Sequence, residues 1–317
     1  MVPGYQKGVL WRSFLKKSTV SSDRTIVAKS LPTGRTVGRS YLGQRLDFLR
    51  KSQNPDGGWG YFPGKASWLE PTAYAAMALH GDPAADRAWK LLMSWQSNGG
   101  WRSSASVQEP GWGTSLCVSL AQGRGDAPAA VVSGVNWLVN SVGAETNWLG
   151  ILLGYFRHER DLRLKAWPWK PGDSGWVEPT AHALVALKQV ARTSAVHDRI
   201  QSGEAQLLDV RSSDGGWNYG ARAALGVDLP SYPETTALAL LGLQGRNSLD
   251  SAFDLAARQL METPSPLGRG WLSIALRLHG RPAFQDAASS EISTDIMLAS
   301  VEALAAPDGN FWFMKAA

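Results

Sequence analysis

Covalent and metallic staples are almost absent from this sequence: its one cysteine, Cys117, can form no intramolecular disulfide and no cysteine-rich zinc cluster. The fold must hold by packing, and 317 residues with 44% hydrophobic side chains supply a full-sized core. No apolar run reaches the roughly 18 residues that a membrane-spanning helix needs. The expectation is a cytoplasmic protein, peripheral to a membrane at most. Positive charge is scarce over most of the chain, although the formal net charge is +5. Residues 1–39 hold eight basic side chains against Asp23 alone, which leaves 24 basic and 26 acidic residues for the rest. No basic groove follows from that balance, and nucleic acid is not expected as a partner.

The leader, residues 1–39, also lacks the continuous apolar stretch and cleavage pattern of a secretory signal. Leu10, Trp11, Phe14 and Leu15 would share one side of a helix with Arg12 and Lys16 opposite, a pattern suited to a membrane surface. Lys7 falls on the apolar side, and a disordered basic tail accounts for the same residues. The domain reading is a disordered leader over 1–39 followed by one domain over 40–317.

Glycine and tryptophan are plentiful, at 33 and 15 residues, and they recur in register. Phe48-Leu49, Gln53, Gly57 and Trp59 are echoed by Leu91-Leu92, Gln96, Gly99 and Trp101. Trp137 stands eleven residues before Trp148, Gln206 before Trp217, and Leu260 before Trp271; Pro307 to Phe311 echoes Pro55 to Trp59. A second pattern follows the first. Glu70-Pro71-Thr72-Ala73 and Glu178-Pro179-Thr180-Ala181 open apolar runs, as does the segment from Tyr232, YPETTALALLGL. Proline in the first turn before Ala/Leu-rich sequence marks a helix start. These helices are apolar on nearly every side and should be buried, whereas 40–52, 84–96 and 249–261 carry charge on one side and should lie outside. Stacking outer helix, glycine-rich loop and inner helix so that the inner helices meet gives an all-α fold, an α/α toroid. Six or seven inner helices are expected, near 70–80, 112–121, 147–157, 178–189, 234–244, 270–278 and 293–304. An open solenoid uses the same repeat.

The two alternating motifs, over residues 40–312, resemble the QW repeat of squalene-hopene and oxidosqualene cyclases, within the prenyltransferase and terpene cyclase toroid superfamily. The resemblance implies that Gln53, Trp59, Gln96, Trp101 and Trp217 stitch helices together. It also implies an acid that protonates substrate, in a D-x-D-D motif ahead of Thr-Ala. Here Glu178 stands at the middle position with Trp176 and Pro179 around it; Glu70 and Glu234 stand likewise, and the D-x-D-D motif is absent. A lone glutamate is a poor acid for an alkene. Neither an aspartate-rich D-D-x-x-D segment nor the zinc ligands of protein prenyltransferases are present, so neither cofactor nor metal is expected.

If outer and inner helices alternate antiparallel, all inner helices begin at one mouth of the ring. That mouth should gather Glu70, Glu178 and Glu234 as catalytic candidates, with Glu109 beside them, and the loop aromatics Tyr61, Trp68, Trp112, Trp167, Trp169, Trp176, Tyr219 and Tyr232. Trp68, Trp176, Tyr232, Trp112, Trp169, Tyr219 and His182 are the substrate-binding candidates. His182, one turn after Glu178, reads equally as a core histidine, and Tyr74 holds its place in the first repeat. Helix dipoles alone would favour acids at these positions. Three readings stay open: a terpene cyclase-like protein that acts on or binds a polyisoprenoid, a non-catalytic scaffold for a lipid, a partner subunit or a second copy, and a carbohydrate-active α/α barrel.

Overall fold

Alternation of half-charged and wholly apolar segments becomes alternation of outer and inner helices. A computed structural model describes residues 40–144, 161, 163–220, 223–224, 227–283 and 293–316. The leader and the expected inner helix at 147–157 lie outside these residues.

Among the described residues the inner helices are α2 (Leu69–Ala78), α4 (Thr114–Arg124), α6 (Val177–Lys188), α8 (Pro233–Gly242), α10 (Pro266–Leu278) and α11 (Ile296–Ala305). Each packs against the next, and α11 packs back against α2. The ring is therefore closed by six inner helices, an α/α toroid. Outer helices α3 (Pro83–Ser94), α5 (Pro128–Asn140) and α7 (Ser194–Asp209) lie on α2, α4 and α6. Of the remaining two, α9 (Asp250–Glu262) spans α8 and α10, and α1 (Tyr41–Lys51) lies on α11. Two-residue strands pair into two small hairpins, β1 (Gln96–Ser97) with β2 (Gly100–Trp101) and β3 (Ala223–Ala224) with β4 (Val227–Asp228).

Burial follows composition. Outer helix α3 buries the stripe Ala84, Ala85, Ala88, Trp89 and Leu92 and leaves its charges in water. Inner helices α2 and α6 bury every residue but one, and in each the exception is a glutamate, Glu70 or Glu178. A buried ion pair joins first helix to last, with Arg45 Nε 3.0 Å from Glu302 Oε2.

The loop tryptophans act as clamps. The amides of Trp59, Trp101, Trp167 and Trp217 donate to Thr72, Thr114, Thr180 and Thr236 Oγ1 at 2.9, 2.9, 3.0 and 3.2 Å. The indoles of Trp59, Trp167 and Trp217 donate to the carbonyls of Leu49, Leu138 and Leu207 at the ends of the preceding outer helices. Neighbouring repeats are joined by Gln53 Nε2, which reaches Gly57 O in its own loop and Ala84 O in α3, both at 2.8 Å. Arg211 does the same work through Gly215 O and Ser251 Oγ. Asp56 and Asp214 hold the glycine turns through the amides of Gly58 and Gly216, as turn formers should.

Three sequence echoes are corrected by this geometry. The third clamp is Trp167, because a longer connection after α5 displaces it from the interval that pointed to Trp148, which lies outside the described residues. Trp167 is accordingly buried and does not line the mouth. Trp271 belongs to inner helix α10 and not to a loop. Residues 307–311 follow α11 and lead into a 3-10 turn, Phe311–Met314, which seals the far end of the ring. There Asn310 donates to Met77 O and Ala78 O, Gln189 to Phe313 O, and Gln244 to Met314 O.

Replacing Thr180 with valine keeps the volume but leaves the buried Trp167 amide without its acceptor, at a cost of about 1–3 kcal/mol. Urea unfolding should show that loss for Thr180→Val and much less for Thr180→Ser. Equal stability of the two variants would contradict the clamp.

Candidate functional site

Helix-start chemistry separates five of the six inner helices into two groups. The N-caps of α10 and α11, Ser265 and Asp295, accept hydrogen bonds from Gly268 and Leu298 amides in the usual way. Helices α2, α6 and α8 instead have Trp68, Trp176 and Tyr232 at the N-cap, with no side-chain cap, and Glu70, Glu178 and Glu234 at the second helical position. Their loops are tied to their neighbours through the main chain. Leu69 N donates to Ser103 O, Trp112 N to Trp169 O, Val177 N to Tyr219 O, and Ile296 N to Tyr61 O. Each bond runs from an inner-helix start, or the residues leading into it, to the loop before a neighbouring inner helix, so the helix starts converge on one mouth.

The Tyr61 hydroxyl donates to Glu70 Oε2, and Ser265 Oγ donates to Glu234 Oε1 at 2.6 Å. Electrostatics link all three acids. Burial first, then the charges of Glu70 and Glu178, push the Tyr74 hydroxyl well above its ordinary value of 10.0. Burial, Glu234 and Glu178 among others raise Tyr219. Glu178 thus acts electrostatically on both tyrosines, with Glu70 acting on Tyr74 and Glu234 on Tyr219.

Below the acids the bore is filled. Tyr74, His182 and Trp271, from alternate inner helices α2, α6 and α10, meet there with 0%, 2% and 3% exposure. The Tyr74 hydroxyl and His182 Nε2 are 2.9 Å apart, and the Trp271 ring stands edge-on to both, with centroids 5.5 Å from Tyr74 and 5.9 Å from His182. Burial drives His182 down from 6.5 to about 3, so its imidazole is neutral at physiological pH. The residue is a hydrogen-bonded part of the floor.

The aromatics fall into two sets. Trp112 and Trp169 are half-buried, edge to face at 5.0 Å, and Trp112 also lies 5.6 Å from His182. Tyr219 and Tyr232 pair at 5.2 Å and remain 47% and 39% exposed, and Trp176 is 38% exposed. Trp68 is half-buried, while Glu109 is exposed in the loop before α4. Sequence reasoning missed Ser265, Leu267 and Met297. The last two are half-buried at the same second helical position of α10 and α11 that carries glutamate elsewhere, so one side of the mouth is acidic and the other apolar. Their signal was the Ser-Pro start of α10 and the capping Asp295 of α11.

No protein-family model matches the sequence, and no curated protein matches it. Among solved structures the chain is similar to endoglucanase Cel10 of Klebsiella pneumoniae, a family 8 glycosyl hydrolase, with 14% identity, a TM-score of 0.52 and coverage of 83% of this chain and 97% of that one. It is similar to a protein from Actinoplanes with 21% identity, a TM-score of 0.50 and coverage of 82% and 78%. The type II terpene cyclase MstE from Scytonema aligns at 15% identity over 83% and 76% of the chains, with a TM-score of 0.48, too low to carry an argument. These likenesses show the fold alone. The chemistry has to come from the mouth itself.

His182 supplies a pH test. Its folded value of about 3 lies below the ordinary 6.5, so the unfolded chain takes up a proton that the folded chain does not. Stability should therefore fall as pH drops from about 6.5 towards about 3, by up to about 1.4 kcal/mol per pH unit from this group. His182→Gln should show a shallower acid limb in unfolding experiments across that window. Superimposable slopes would remove His182 as the source.

Proposed function

We propose that this is a terpene cyclase-like toroid whose mouth binds the end of an apolar polyisoprenoid without opening it to protonation-initiated cyclisation. The observation that carries this reading is the construction of the mouth: glutamates paired with aromatic N-caps on one side, Leu267 and Met297 on the other, above a floor of buried rings. Aromatic and aliphatic side chains suit an isoprenoid, and carboxylates with ring faces suit a hydroxyl or a cationic group on it. Protonating an alkene requires a carboxyl that presents its proton to the substrate. Glu70 and Glu234 serve as acceptors for Tyr61 and Ser265, and the D-x-D-D motif is missing.

Three carboxylates also act against a diphosphate, because like charges repel strongly where water is partly excluded. Neutral isoprenoids and isoprenoid alcohols are therefore the favoured ligands. The exposed faces of Trp176, Tyr219 and Tyr232 suit a sugar as well, which is the competing reading.

Mass spectrometry of copurified small molecules, followed by titration with squalene, geranylgeraniol, geranylgeranyl diphosphate and a glycan panel, tests the proposal. Squalene or geranylgeraniol should bind in preference to the diphosphate. Glu178→Gln should weaken the alcohol about tenfold and change stability by no more than about 1 kcal/mol. Unchanged retention by the triple variant Glu70→Gln, Glu178→Gln, Glu234→Gln, or recovery of sugars alone, would overturn it.

A further inference from the structure

Outside the ring, one face of α5 forms the floor of a surface groove of about 580 Å³. Ser133, Asn136, Trp137 and Asn140 recur there at helical spacings of three and four, so they share one face. One wall is the β1–β2 hairpin turn. Asn98 and Gly99 both have positive φ, 50° and 84°, the Asn-Gly conformation of a tight two-residue turn. The other wall is the turn at Pro171 and Gly172, held against the segment after α5 by a 2.9 Å hydrogen bond from Ala144 N to Asp173 O.

Both walls are thus set by the backbone, and the floor is anchored. Trp137 rests on Gly100, where even a Cβ would come within 3.0 Å of the indole. Among the described residues no lining side chain is charged. Three asparagine amides and two serine hydroxyls surround one half-buried indole, and among the described residues only Asn140 of these amides has its nitrogen engaged, donating to Asn136 O at 2.8 Å.

We propose that this groove is a binding site for a neutral sugar, separate from the mouth. The chemistry is specific in what it disfavours. Its described lining holds no cation for a phosphate or a carboxylate and no carboxylate for a metal or an ammonium group. An apolar ligand would strip water from the amides without replacing their hydrogen bonds. A hexose supplies both halves of the match: hydroxyls that donate to and accept from amides, and a C–H face that packs on an indole. The volume suits one or two hexose units of a chain.

The test is calorimetric titration of the full chain with cellohexaose, maltohexaose and laminarihexaose, alongside pull-down on the matching insoluble polysaccharides, which separates a free oligosaccharide from a polymer as the natural source. One hexaose should bind saturably. The double variant Asn136→Ala, Asn140→Ala removes exposed side chains, so it should fold normally while weakening binding at least about tenfold. Trp137→Ala should abolish binding, and Glu178→Gln should leave it unchanged. Absence of saturable binding at millimolar sugar, binding indifferent to the asparagine variants, or binding lost in Glu178→Gln would each overturn the proposal. The last outcome would move the sugar to the mouth.

Discussion

A buried tryptophan amide with a single threonine hydroxyl to receive it fixes the rotation of each clamped inner helix. The amide cannot be left unpaired without a cost of about 1–3 kcal/mol, so the threonine must turn towards its own loop. At 3.6 residues per turn, a residue two positions before or after that threonine points about 160° away from it. Glu70 and Tyr74 flank Thr72 in this way, and Glu178 and His182 flank Thr180. Clamping the threonine outward therefore turns the acid and the ring beneath it towards the bore. The geometry of the mouth follows from a structural bond made on the opposite side of the helix.

Parallel inner helices add their dipoles, and the two ends of the ring are built to match. Acids collect at the helix starts. At the other end donors collect on the last carbonyls: Lys188 on Gly242 O and Gln244 O, Arg277 on Ala305 O and Ala306 O, and Asn310 on Met77 O and Ala78 O. Lys188 is also paired with Glu204 at 2.6 Å, which compensates a buried ammonium whose pKa burial lowers from 10.5. The far end is thereby spent on holding the ring shut. The mouth retains exposed rings and glutamates that are less buried than anything else on α2 and α6.

The closed ring was legible because burial on all sides leaves its own mark on a helix: α2, α6 and α8 have no polar stripe, and each is introduced by an aromatic, an acid and a threonine. The first clamp could be read from Gln53 and Trp59 for the same reason. Spacing failed where chain length changed without changing geometry. More residues separate the outer helix from Trp167 than from its counterparts, so the interval from the outer helix pointed elsewhere, whereas the interval from Trp167 forward to Thr180 equals those from Trp59 to Thr72 and from Trp101 to Thr114. Measuring back from the threonine would have found it. Leu267 and Met297 were hidden because their helices begin with ordinary capping residues and carry no acid at the second position, and the Tyr74–His182 contact joins residues 108 apart in the chain.

The second clamp, Trp101 on Thr114, shows why the mouth is uneven. Counting back from Thr114, the place of the glutamate belongs to Trp112, and the place of Trp68 or Trp176 belongs to Pro110. Proline has no amide to give, so the bond to the clamp carbonyl, Trp101 O, comes from Gly111 instead. That shift brings Trp112 over His182 and against Trp169, closing this side with rings where its neighbours present carboxylates. The acids stand one helical turn, about 6 Å along the axis, above residues of the filled floor. A ligand that reaches Glu178 in the proposed reading must therefore enter end-on and lay the rest of its length over Trp176, Tyr219 and Tyr232. On that proposal, a ring plugged at this depth recognises the end of a chain and leaves the remainder outside.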